Sequence, residues 1–122
     1  MKYVVLDTNF ILSCVRKKID FFHEIKFSGL KIIIPIQVIN ELENLSETGN
    51  LKLRDEAKVS LTLLKKNPFE KTDLKIKNVD NGIVKLAKEH EDYVIATLDK
   101  GIQSKIKNQK LIIRGEKELE VR

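Results

Sequence analysis

The chain is 122 residues long and 42% hydrophobic, which suits one domain spanning residues 1–122 with an ordinary core, and a second domain is not expected. Its 23 Lys and Arg outnumber its 18 Asp and Glu, giving a formal charge of +5 that favours an anionic partner, of which nucleic acid is the commonest. The lone Cys14 excludes an internal disulfide or CxxC motif, no apolar run nears the roughly 20 residues that cross a bilayer, and Met1-Lys2 opens no signal-peptide pattern, so a soluble cytoplasmic protein with no membrane partner is expected.

Residues 3–6 form a short β-branched apolar run, the first predicted strand. Two helices follow, over 8–15 with Phe10, Ile11, Cys14 and Val15 on one face, and over 20–25 with Phe21, Phe22 and Ile25. Gly29 releases the chain into a second strand at 31–34. After Pro35, Val38, Leu42 and Leu45 recur at helical spacing, and Thr48-Gly49-Asn50 separates that helix from another over 51–65. A weaker strand is read at 72–76, a helix at 81–90, a strand at 93–97, a short helix carrying Ile102 and Ile106, and a strand at 110–113. Residues 118–121 read either as loose chain or as a short edge strand. The strands are apolar almost throughout rather than alternating, as strands covered on both faces are. The order βααβααβαβαβ predicts an α/β fold, a three-layer α/β/α sandwich around a mainly parallel sheet.

Four acids fall where strands end or helices begin: Asp7, Glu41, Asp80 and Asp99. In an open parallel sheet the ligand crevice lies beyond the carboxyl ends of the strands, where strand order reverses. Taken singly, each has a plain structural explanation. Asp7, Asp80 and Asp99 have N-cap chemistry, and Glu41 is an ordinary solvated helical Glu at the margin of an apolar stripe. Taken together, with the first strand beside the one that bears Asp99, they are expected to bring four carboxylates within a few ångströms. Such a cluster needs a cation, and all-oxygen ligands without Cys or His select Mg²⁺ or Mn²⁺. The site would suit phosphodiester hydrolysis, in which metal activates water and stabilises the leaving oxygen.

Along Leu6-Asp7-Thr8-Asn9, Val38-Ile39-Asn40-Glu41-Leu42, Val79-Asp80-Asn81-Gly82-Ile83 and Ala96-Thr97-Leu98-Asp99, the sequence resembles the PIN-domain ribonucleases, VapC-like toxins and rRNA-processing nucleases among them. The resemblance covers nearly the whole chain. It implies a Rossmann-like sandwich and metal-dependent cleavage of RNA to 5′-phosphate and 3′-hydroxyl ends, with Asp7, Glu41, Asp80 and Asp99 as catalytic and metal-binding acids. It gives supporting roles to Thr8 and Asn9, which would hold the loop or a water on the metal, and to Thr97, which supports the acidic pocket. Many members carry Asn or Ser where this chain has Leu98, which points to a weaker second metal site. Water would be the nucleophile, and His23 and His90 read as surface or helix-end residues.

Lys52, Arg54 and Lys58 after Glu41, and Lys100, Lys105 and Lys107 after Asp99, are candidate contacts for an RNA backbone, although interspersed lysines also simply keep a surface soluble. Two rival folds fit less well. A response-regulator receiver needs paired acids after the first strand, where Asp7 stands alone; a haloacid-dehalogenase-type phosphatase needs Asp-x-Asp, where Asn9 fills the second place. A PIN module that binds RNA or protein without cutting is the alternative of another class. As a nuclease, the chain would be either a toxin held by an antitoxin peptide or an rRNA-processing enzyme within a ribosome-assembly complex. The Asn40-Glu41-Leu42-Glu43-Asn44-Leu45 stretch leans towards rRNA processing. The resemblance also suggests a homodimer.

Overall fold

A six-stranded sheet in the order β3-β2-β1-β4-β5-β6 forms the centre of the computed structural model, which describes residues 2–122. The strands are β1 (Tyr3–Leu6), β2 (Lys31–Pro35), β3 (Glu70–Thr72), β4 (Val94–Ala96), β5 (Lys110–Arg114) and β6 (Glu118–Val121). The first five run parallel, and β6 returns antiparallel on β5. The helices are α1 (Thr8–Arg16), α2 (Phe21–Phe27), α3 (Ile36–Thr48), α4 (Leu51–Lys66), α5 (Val79–Glu89) and α6 (Lys100–Lys105).

The uninterrupted apolar strands are explained by what covers them. Val4, Leu6, Ile32, Ile34, Val94 and Ala96 point to one face and pack with Phe10, Phe21, Val38, Leu42 and Ala57 from α1 to α4. Val5, Ile33 and Ile95 point to the other, against Ile83 and Ala87 of α5 and Ile102 of α6. Period-2 alternation is present, but both phases are buried, so it is invisible as a hydrophobic pattern. The expected sandwich and its mainly parallel sheet are therefore present.

The chain steps from β1 outward to β2 and β3, then returns to β4 beside β1 and continues outward the other way. Strand order thus reverses between β1 and β4, and the Asp7 N–H extends their pairing by donating to the Ala96 carbonyl at 3.0 Å.

Most boundaries lie within two residues of the sequence reading, and two of the differences bear on the acidic edge. The third strand is Glu70–Thr72 rather than 72–76, pairing Ile33–Pro35 with a polar edge segment. Beyond it Lys75 takes a left-handed backbone (φ 57°), off the extended conformation of a regular strand, and Leu74 turns inward to contact α5. Helix α5 starts at Val79, with the Asn78 side chain accepting from the Asn81 N–H at 2.9 Å. Residues 118–121 are an ordered edge strand.

Candidate active site

Asp7 leaves β1 at the switch point and is 4% exposed, the most buried acid of the four. Both carboxylate oxygens are engaged: Oδ1 accepts from the Thr8 N–H at 2.8 Å, and Oδ2 accepts from the Thr97 hydroxyl at 2.9 Å. It is at once the N-cap of α1 and the buried acid at the strand-order reversal, so its capping role does not take it away from the sheet edge. Burial pushes its carboxyl up to about 6; the two hydrogen bonds oppose that shift, and the negative charges of Asp80 and Glu41 add to it.

Thr97 is fully buried just past β4 and joins two acids. Its hydroxyl donates to Asp7 and accepts from the Asp99 N–H at 3.1 Å. Gln103 on α6 holds the Thr97 carbonyl at 2.9 Å. Asp99 caps α6, with Oδ1 accepting from the Ile102 N–H at 3.1 Å. Glu41 is exposed on α3, and Asp80 is exposed in the first turn of α5. Asp80 is therefore not the cap of its helix; Asn78 fills that role.

The acids share one edge of the sheet, but not the tight cluster expected from sequence. Among the described residues no three His, Cys, Asp or Glu side chains form a group that could hold a metal ion. The physical reason is visible in the partners. Asp99 is turned to its own helix amides, both Asp7 oxygens are occupied, and Glu41 and Asp80 extend into water, where like charges keep apart most cheaply. The donor chemistry nonetheless suits a hard divalent cation. All four acids offer oxygen, and beside Asp7 the Thr8 hydroxyl is buried with no hydrogen-bond partner among the described residues. A buried hydroxyl without a partner is costly unless something at the site completes it. Asn9 is exposed on the first turn of α1, and Leu98 is 39% exposed between Thr97 and Asp99.

The basic residues divide. Lys100 opens α6 directly after Asp99, while Lys52 and Lys58 lie exposed on α4, and Arg54 there is half-buried, its Nε without a partner among the described residues. Lys105 and Lys107 do not join the acidic edge. They line a cavity of about 300 Å³ with Lys88, Glu91 and Asn108, at the far ends of α5 and α6, where Asn108 Nδ2 donates to the carbonyl of Tyr93 ahead of β4. A short helix that runs back along the sheet carries its last residues away from the strand end it started from. Cys14 is buried in the core, and burial pushes its thiol up to about 12, which leaves no thiolate for chemistry.

Gln37, in the first turn of α3, was not singled out by sequence. Its Nε2 donates to Asp73 Oδ1 at 2.7 Å and its Oε1 accepts from the Leu74 N–H at 3.1 Å. A polar residue in the first helical turn after Pro35 breaks no apolar pattern, so periodicity gives it no weight.

An α/β/α sandwich whose acids gather beyond the switch point of a parallel sheet defines a class of carboxylate-site domains. Within that class the chain belongs to the PIN like domain family, whose profile matches residues 4–115. It is 30% identical, over an alignment 127 positions long, to Ribonuclease VapC4 of Methanocaldococcus jannaschii, with 99% of this chain and 97% of that protein aligned. It is 29% identical over 107 residues to rRNA-processing protein fcf1 of Schizosaccharomyces pombe, which takes in 86% of this chain and 53% of that protein. Among solved structures it resembles the PIN domain endonuclease Utp24, with a TM-score of 0.78 and 28% identity over 98% of this chain and 90% of the other.

Proposed function

We propose that this protein is a divalent-metal-dependent endoribonuclease, acting in the cytoplasm, that uses Asp7, Glu41, Asp80 and Asp99 with Mg²⁺ or Mn²⁺. The observation that carries the reading is Asp7: a buried carboxylate at the strand-order reversal, held by Thr8 and Thr97 and repelled by Asp80 and Glu41. A site that buries one acid among others holds an excess of negative charge that a cation offsets. A bound ion would supply Lewis-acid activation of water and charge neutralisation at the leaving oxygen. The chain's own part is to fix Asp7 through Thr97 and to offer the Thr8 hydroxyl beside it. Exposed Lys52, Lys58 and Lys100, together with Arg54, supply positive charge for the RNA backbone. Names of relatives that include a ribonuclease and an rRNA-processing protein support RNA as substrate, with an antitoxin or a ribosome-assembly protein as the corresponding partner.

A second reading, a PIN module that binds RNA or protein without cutting it, is favoured by Leu98, which offers no polar group beside Asp99. The deciding experiment is cleavage of a panel of structured and single-stranded RNAs in Mn²⁺, Mg²⁺ or EDTA, with Asp7→Asn alongside. Metal-dependent cutting lost in the variant is the expected result. Intact RNA with the wild type in every metal moves the chain to the binding reading.

A further inference from the structure

Glu41 and Asp80 both face water, on helices that the sheet does not link side by side. Something must fix the one relative to the other if both are to serve a single site, and the contacts between α3 and the segment ahead of α5 identify it. Gln37 lies one helical turn before Glu41 on α3. Its amide is used at both ends, donating to Asp73 and accepting from Leu74, while Asp73 Oδ1 also accepts from the Lys75 N–H at 2.8 Å. One carboxylate oxygen thus ties a side chain of α3 to a tight turn in which Lys75 is left-handed. That conformation is unfavourable for a residue with a side chain and persists only where its surroundings impose it. The turn then runs to Asn78, which caps α5, and Asp80 follows in the first helical turn. Leu74 completes the junction by packing on Gly82, whose absent side chain leaves the room: an added Cβ would lie 2.8 Å from Leu74.

We propose that Gln37 and Asp73 form a clamp that positions Asp80 relative to Glu41, making both positioning residues for the metal and RNA site. The proposal rests on the nuclease reading for its consequence, but not for its structural content. Gln37 touches no reacting group. It acts through the turn, and the cost of losing it falls on the geometry of two acids rather than on the core.

The test compares Gln37→Ala, Asp73→Ala, their double variant and Asp73→Asn, which keeps the acceptor oxygen. Amide hydrogen exchange reads the clamp directly, and Mn²⁺ affinity by calorimetry reads its effect on the site. Both alanine variants are expected to speed exchange at Lys75 and Asn81 by tenfold or more. They are expected to weaken Mn²⁺ binding by about tenfold, the low end of what loss of a group bonded directly to a ligand costs, because the clamp acts through the turn. The double variant should lose less than the sum of the two single ones, since both break the Gln37–Asp73 bond and each adds only one bond of its own, to Leu74 or Lys75, and Asp73→Asn should retain most of both properties. Unchanged exchange at Asn81 in Gln37→Ala overturns the clamp. So does equal loss of Mn²⁺ affinity in Asp73→Asn, or losses that add in the double variant. A wild type that neither binds Mn²⁺ nor cuts RNA sinks the nuclease reading instead, and exchange still decides the clamp.

Discussion

Thr97 reaches across the β1–β4 junction to Asp7, its hydroxyl donating to Oδ2 at 2.9 Å from 90 residues further along the chain. Because the Thr97 Oγ1 also accepts from the Asp99 N–H, one hydroxyl orients two acids. Thr97→Val keeps the shape and removes both bonds. It is expected to destabilise by about 1–3 kcal/mol, the cost of leaving buried polar groups unpaired. It also removes a contact that lowers the Asp7 pKa, so the acid limb of the kcat/KM profile on RNA should move to higher pH. Thr97→Ser should retain both stability and profile. A valine variant with the wild-type pH profile would show that this hydroxyl does not tune Asp7.

Asp7 is stabilising when protonated and costly when charged. Its carboxyl rises from an ordinary 3.8 to about 6 in the folded protein, so between those values the folded state holds a proton that the unfolded state has released. Stability conferred by the neutral acid therefore falls as pH rises through that window and is level above it. Asp7→Asn removes the buried charge and keeps a group able to hydrogen-bond. In metal-free buffer at pH 7.5 it should be more stable than wild type by about 1–2 kcal/mol, within the ceiling of about 3 kcal/mol set by the shift. The Tm should rise by about 2–8 °C. RNA cleavage should be lost in the same variant. A lower Tm for Asp7→Asn would contradict this account of a strained carboxylate.

How far the sequence revealed this arrangement depends on the range of each signal. Strand runs such as Val4 to Leu6 and the stripe Val38, Leu42, Leu45 are local, and they located the layers, while the order of acids along the chain pointed to the edge they share. What local pattern could not carry was direction. Lys105 ends the short helix that follows Asp99 and Lys107 lies two residues past it, yet six residues of helix and its exit are enough to take them to the other end of the sheet. Asn108 donates to three carbonyls, of Ala87, His90 and Tyr93, and nothing in its neighbourhood of sequence signals that role. The third strand was misplaced because its residues, Glu70 to Thr72, are an edge segment with no apolar pattern to follow.

Arg16 and Glu56 form a two-pronged ion pair between α1 and α4, both contacts at 2.9 Å, with the carboxylate side chain 10% exposed and the guanidinium half-exposed. The hydrogen bonds from Arg16 hold Glu56 below the usual carboxylate range. Arg16→Met should cost about 1–3 kcal/mol near neutral pH, less than a wholly buried pair because water reaches the arginine. A depressed acid confers stability that is present above its unfolded pKa and lost as pH falls through the lower folded value. The difference between wild type and Arg16→Met in urea unfolding should therefore shrink below about pH 4. A difference that stays constant to pH 3 would mean that packing of the arginine stem, not its charge, supplies the stabilisation.

Gly82 sets local propensity against packing within α5. In a helix interior Ala is better than Gly by about 1 kcal/mol, so Gly82→Ala should stabilise if the helix were alone. Here the new Cβ would meet Leu74 Cβ and Cδ1, both at 2.8 Å. Since Cβ cannot swing aside as a side-chain tip can, the turn carrying Leu74 must move. Overpacking of this kind costs about 1–3 kcal/mol, enough to cancel the helical gain and in most of that range to exceed it. The net expectation is a loss of up to about 2 kcal/mol in urea unfolding, with RNA cleavage falling as Asp80 is displaced. Leu74→Ala on the same background should restore part of the activity by making room, while lowering stability further through its own lost burial. If Gly82→Ala is stabilising and fully active, the close approach of Leu74 to α5 is not what holds Asp80 in place.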